Sequence, residues 1–213
     1  MVATAGKSAP NDTAQLALDA LREEAAGCKR CPLWKPATQT VFGEGPIDAT
    51  LFFVGEQPGD QEDLAGRPFI GPAGQLFDRA LADAGIDRAR TYVSNAVKHF
   101  KFEPRGKRRL HAKPNAAEIA ACRWWLDRER AIIRPRVTVA LGATAAQSLL
   151  GKAVTISQTR GQPIALPDGS EGWVTIHPSF LLRIPEADRK AKEYRRFVGD
   201  LRAVKKHAAE LAG

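Results

Sequence analysis

The sequence predicts an α/β fold in which four parallel strands form a sheet covered by helices on both faces. Three observations predict it. Four short continuous apolar runs, each stopped by glycine or a polar residue, have the character of strands buried on both sides. Segments with helical apolar spacing lie between these runs, the alternation that gives right-handed crossovers and parallel pairing. The chain, 213 residues long and 44% hydrophobic, is large enough to bury a core around such a sheet.

The elements follow in order. Met1 to Asp12 lack an apolar stretch and read as a frayed tail rather than a secretory signal. Thr13 caps a helix through Ala26, whose Leu16, Leu18 and Leu21 make an apolar face ended by Gly27, and that helix delivers Cys28. A turn-rich stretch from Pro32 to Asp48 precedes the first strand, Leu51 to Val54, ended by Gly55. Leu76, Phe77, Ala80, Leu81 and Ala84 repeat at helical spacing up to Gly85, and Thr91 to Ser94 is the second strand. Asn115 with Glu118 forms a capping box for a helix reaching about Ile132. Val137 to Leu141 is the third strand, ended by Gly142, and a short helix runs from Thr144 to Leu150. Trp173 to Ile176 is the fourth strand, and a charged helix runs from about Glu186 to the end. No internal repeat is visible, and residues 13–213 read as one domain.

Composition excludes some classes. A charged fraction of 26% with mean hydropathy −0.30 is that of a folded chain, and no run of about 18 apolar residues exists to span a membrane. A soluble, monomeric, cytoplasmic protein is expected. Thirty-two Lys and Arg against 24 Asp and Glu give +8, which favours a polyanionic partner. The basic residues crowd between Lys98 and Lys113, with Phe100 and Phe102 interleaved, a composition suited to single-stranded nucleic acid.

In parallel α/β sheets the ligand crevice lies beyond the carboxyl ends of the strands. The residues placed there are Gly55-Glu56-Gln57, Asn95, Gly142 and His177-Pro178-Ser179, so an acid, an amide and an imidazole converge on one edge. Phe69, on the glycine-rich segment Arg67 to Gly74, is either core or a platform for a planar ligand. Cys28 and Cys31 form a C-x2-C pair, and Cys122 lies in the third helix. Three cysteines in such a chain favour metal ligation over disulfides. A fourth ligand is needed, with His99 and His111 both available, and zinc and an iron–sulfur cluster both stay open.

Taken together, Gly55-Glu56-Gln57-Pro58-Gly59, Arg67 to Gly74, Tyr92 to Lys98, the C-x2-C pair, Ala121-Cys122-Arg123 and His177-Pro178-Ser179 resemble the iron–sulfur branch of the uracil-DNA glycosylase superfamily. Lys107-Arg108-Arg109-Leu110-His111, with the Gln57-containing first motif, resembles its UdgX subgroup, which links covalently to uracil-containing DNA. The resemblance runs from about Ala26 to Arg183. It implies a three-layer α/β/α fold around a four-stranded parallel sheet, and a 4Fe–4S cluster on Cys28, Cys31, His99 and Cys122. His99 stands where related proteins carry a cysteine; a neutral imidazole there should raise the cluster potential.

By the same resemblance, Phe69 stacks on an extruded uracil, Asn95 reads its N3 and O4 edge and His177 donates to O2. Gln57 and its turn backbone are the candidates for excluding thymine. His111 attacks C1′ of the sugar, with Glu56 orienting its ring, so His111, Glu56 and His177 are the candidate catalytic residues. Lys107, Arg108 and Arg109 hold phosphates. Arg183 ends a loop in which Phe180, Leu181 and Leu182 wedge into the strand. The implied activity is excision of uracil, preferably from single-stranded DNA, followed by covalent retention of the abasic sugar. The competing readings are an ordinary multiple-turnover glycosylase and a non-catalytic iron–sulfur DNA-binding module.

Overall fold

The computed structural model describes residues 10–211. Helix α1 (Pro10–Ala26) begins inside the expected tail, so Pro10 to Asp12 are helical, and residues 1–9 lie outside the described residues. In chain order there follow β1 (Leu51–Gly55), α2 (Asp60–Ala65), α3 (Pro72–Asp83), β2 (Thr91–Asn95), β3 (Phe102–Arg105), β4 (Arg108–His111) and α4 (Ala116–Ile133). Then come β5 (Val137–Leu141), α5 (Ala143–Leu150), α6 (Ile156–Thr159), β6 (Pro163–Ala165), β7 (Glu171–Thr175), α7 (Pro178–Leu182) and α8 (Ala187–Glu210).

The central sheet has the order β2-β1-β5-β7-β6, with β2, β1, β5 and β7 parallel and β6 antiparallel at the edge. The four expected strands are therefore present, and the sheet has one more. Alternation along the strands explains the layers. Phe52 and Val54 pack with Leu18 and Leu21 of α1, Ile119, Trp125 and Leu126 of α4, and Leu149 of α5. Leu51, Phe53, Val137 and Val139 face the other way, onto Phe77 and Leu81 of α3, Leu181 of α7, and Phe197 and Leu201 of α8. Both faces are covered, which is why β1 and β5 read as runs with hardly a polar position. No described helix is long and apolar enough to cross a membrane.

Capping fixes α4 as the sequence predicts. Asn115 Oδ1 accepts from Glu118 N at 2.9 Å, and Glu118 Oε2 accepts from Asn115 N at 2.7 Å. Between β2 and α4, where the sequence reads as a loop, the chain forms the two-stranded β3–β4 hairpin, turned at Gly106 with φ 58°.

Candidate active site at the carboxyl edge of the sheet

Gly55 and Asn95 end two neighbouring parallel strands in register. A Cβ on Gly55 would fall 2.4 Å from Asn95 Oδ1 and 2.7 Å from Phe69 Cζ, so the amide and the ring both close on this glycine. Phe69 has φ 57°, a left-handed conformation costly for a bulky residue, and the surroundings hold it there. The Glu62 carboxylate accepts from Gly59 N at 3.1 Å and from Gly71 N at 2.7 Å, clamping both ends of the segment. The Phe69 ring stands 6.2 Å from the His177 ring at an interplanar angle of 29°. Behind Asn95, Lys98 Nζ donates to its carbonyl at 2.9 Å and pairs with Glu129 at 2.5 Å, with neither charged side chain exposed. Glu129 also accepts from Ser94, Tyr92 and Gly43 N, which satisfies its lone pairs.

His177 Nδ1 accepts from Ser179 N at 3.1 Å and lies 2.8 Å from Ser179 Oγ. An acceptor nitrogen has no proton, so the hydrogen-bond pattern assigns the neutral ring's proton to Nε2 and turns Nδ1 away from donation. Arg183 Nη1 donates to Ser179 Oγ at 3.0 Å, leaving that hydroxyl's hydrogen for Nδ1. Burial pushes the ring's pKa down to about 4, with Arg183 and His111 acting in the same direction against Glu56. His177 is thus a neutral donor at physiological pH.

Glu56 Oε1 meets His111 Nε2 at 3.0 Å, and its Oε2 accepts from Thr144 Oγ1. Burial raises the Glu56 pKa, but the hydrogen bonds from His111 and Thr144 and the nearby imidazoles outweigh it, and the net direction is downward. An ionised carboxylate only accepts, so Nε2 carries the proton and the lone pair lies on Nδ1 in this state. The hairpin bearing His111 is anchored at its root by Gln57, whose amide donates to Lys101 O and Ala112 O at 3.1 Å and accepts from Lys101 N at 3.0 Å. The Gln57 amide is therefore spent on the hairpin, not on a base.

Comparison with known proteins gives the family. A family model described as the uracil-DNA glycosylase superfamily matches residues 42–202. The chain belongs to the uracil-DNA glycosylase superfamily. It is 41% identical over 182 residues to a type-4 uracil-DNA glycosylase of Thermotoga maritima, covering 85% of this chain and 88% of that protein. Proteins of the same description from Sulfurisphaera tokodaii and Archaeoglobus fulgidus are each 33% identical, the first over 83% of this chain and 80% of its own length, the second over 86% and 92%.

In this superfamily member the basic segment divides. Arg109 does not face outward for a phosphate: its guanidinium is tied to Asp60 Oδ1 at 2.5 Å and Asp63 Oδ2 at 2.6 Å and lies over the Phe100 and Phe102 rings. It latches the hairpin to α2. Lys98 is buried, Phe100 is core, and Lys101 pairs with Glu118. Lys107 and Arg108 are exposed at the hairpin tip without an ion-pair partner among the described residues, as a phosphate contact requires. In the expected wedge, Leu181 is core, Phe180 is partly buried and Leu182 is 40% exposed, so the apolar tip is Leu182. Arg183 supports Ser179 from the exposed side.

Cys28, Cys31 and Cys122 are buried, free and close enough to influence one another electrostatically. Trp125 Nε1 donates to Cys28 Sγ and Lys98 N to Cys122 Sγ, both at 3.1 Å. His99 Nε2 bonds Thr40 Oγ1 at 3.0 Å, while its buried Nδ1 has no hydrogen-bond partner. Among the described residues no three His, Cys, Asp or Glu side chains are gathered as they would be around one metal ion. Sequence reasoning missed Thr144 and Glu62, and it placed Ser179 at the crevice edge without giving it the role of holding His177 Nδ1. Thr144 had a legible signal, since it lies two residues beyond a strand end that the crevice rule marks.

Proposed function

We infer that this protein excises uracil from DNA and then retains the abasic sugar covalently on His111, the UdgX-type behaviour. The observation that carries the reading is the 3.0 Å contact between His111 and Glu56 on the rim where Asn95, Phe69 and His177 converge. An extruded uracil lies against Phe69 with its edge on Asn95 and O2 on the His177 Nε2–H. Extrusion costs a few kcal/mol, least in single strands, and the exposed Lys107 and Arg108 suit a flexible backbone. As the N-glycosidic bond breaks, its electron pair goes to uracil and negative charge grows on O2, where the neutral His177 donor is already in place. The His111 lone pair forms the new bond to C1′, leaving an imidazolium whose N–H faces the Glu56 carboxylate.

Intact mass under denaturing conditions tests this directly. A single-stranded oligonucleotide with one deoxyuridine should give protein plus oligonucleotide minus uracil, and a thymidine control should give unmodified protein. Free uracil accumulating with unmodified protein would mean ordinary turnover. Neither product would leave a binding module.

Gly55→Ala probes the uracil pocket separately. Its methyl group must displace Asn95 and Phe69 while the strand's hydrogen bonds persist. Misplacing those groups by about 1 Å should slow uracil release by about 100-fold, with the melting temperature little changed; an unaltered rate would remove both residues from the pocket.

The four residues Cys28, Cys31, His99 and Cys122 fit a 4Fe–4S cluster, supported by the orphaned His99 Nδ1 and by N–H donors aimed at two sulfurs. When bound, the cluster supplies a rigid covalent tie between the end of α1, α4 and the start of the hairpin segment. Cys122→Ser should lose bound iron, sulfide and visible absorption together and lower the melting temperature; full iron content would overturn the ligand set.

A further inference from the structure

His111 sits on a small exposed hairpin, and the carboxylate that orients it needs a fixed point elsewhere. That point is on α5. Gly142 ends β5 with φ 91°, a conformation suited to glycine, and turns the chain so that the first helical turn faces Glu56. Thr144, 1% exposed, donates its hydroxyl hydrogen to Glu56 Oε2. The opposite oxygen, Oε1, takes His111 Nε2 at 3.0 Å. Glu56 therefore bridges a buried, rigid helix and a His111 side chain that is 50% exposed on a two-stranded ribbon. The same turn also serves His177, because a Cβ at Gly142 would stand 3.1 Å from His177 Cβ. One strand-to-helix turn thus backs both imidazoles.

We propose that Thr144 is a positioning residue for covalent capture: its hydroxyl locks the Glu56 carboxylate in the orientation that aligns His111, and so decides whether His111 or water takes the sugar. The inference rests on the covalent reading given above. Without the hydroxyl, Glu56 keeps only the contact to the half-exposed His111, and both groups can turn toward solvent. Carboxylate orientation is lost before the pocket residues Phe69, Asn95 and His177 are touched, so excision and capture should separate.

Thr144→Val removes the hydroxyl at nearly constant volume, Thr144→Ala removes it without adding a second methyl, and Thr144→Ser keeps it. With excess deoxyuridine oligonucleotide, the adduct and the free uracil are followed together over time and pH. In the wild type the two should form in equal amounts. In Thr144→Val and Thr144→Ala adduct formation should slow by about 10- to 100-fold, uracil release should slow less, and uracil should exceed adduct. The acid limb of adduct formation should move to higher pH, because Glu56 then loses one of the donors that oppose its burial and faces only His111 and His177. Thr144→Ser should restore the wild-type ratio and pH profile. A purely structural role would lower the melting temperature and slow both products alike, with no shift of the limb, and would overturn the proposal. Wild-type kinetics in Thr144→Val beside an adduct-forming wild type would overturn it alone; a wild type that forms no adduct would sink the covalent reading and this proposal with it.

Discussion

Replacing His111 with alanine should eliminate the proposed covalent product while uracil continues to be released. The variant loses the imidazole that the Glu56 carboxylate holds on the rim, while the groups proposed to bind uracil keep their own supports: Glu62 clamps the segment of Phe69, Lys98 backs Asn95 and Ser179 holds His177. Glu56 keeps its Thr144 contact and its freed Oε1 can accept from a water in the vacated space, so hydrolysis should replace capture. Removing a covalent nucleophile should reduce the adduct by more than about 10³-fold, to below detection by intact mass, and convert the stoichiometric reaction to turnover. Full cross-linking in this variant would move the nucleophile to another residue, which peptide mapping would then locate.

How much of this was legible depended on which side chains are buried. The strands at Leu51, Thr91, Val137 and Trp173 announce themselves because both faces are covered and, apart from Asn95 and Glu171 at their ends, the positions are apolar or small. Edge strand β6 is three residues long, starts with proline and buries no position fully, so neither length nor pattern marks it. The hairpin is hidden for a related reason: with nearly all of Phe102 to Arg105 and Arg108 to His111 in solvent, no period-2 apolar alternation forms. Glu56, Asn95 and His177 were legible because strand ends face the crevice in a parallel sheet, whatever the sequence between them. Gln57 and Arg109 were not, since their partners lie 44 to 55 and 46 to 49 residues away, and no local spacing tells an amide that clamps backbone from one that reads a base.

His177→Ala should abolish both products, and that separates it from the His111 variant. Removal of a preorganised donor to a developing oxyanion costs about 10²- to 10³-fold in the bond-breaking step, and capture cannot outrun excision, so adduct and uracil should fall together. The tautomer makes the prediction specific. A neutral ring that accepts at Nδ1 has its proton at Nε2, and that acceptance depends on the Ser179 N–H and hydroxyl. The neutral form also leaves a mark on stability that activity cannot mimic. With a pKa near 4 against an ordinary 6.5, the folded ring resists a proton that the unfolded chain takes up. Between pH 6.5 and 4 the unfolded state therefore binds more protons, and this contribution to wild-type stability falls as the pH falls through that window. His177→Ala lacks the term. Thermal unfolding of the pair at pH 7 and pH 4.5 should show the wild type losing more of its melting temperature on acidification than the variant. Equal losses would mean that the ring is not held neutral, and the donor at O2 would then have to be an imidazolium, whose Nδ1 proton would collide with the Ser179 N–H.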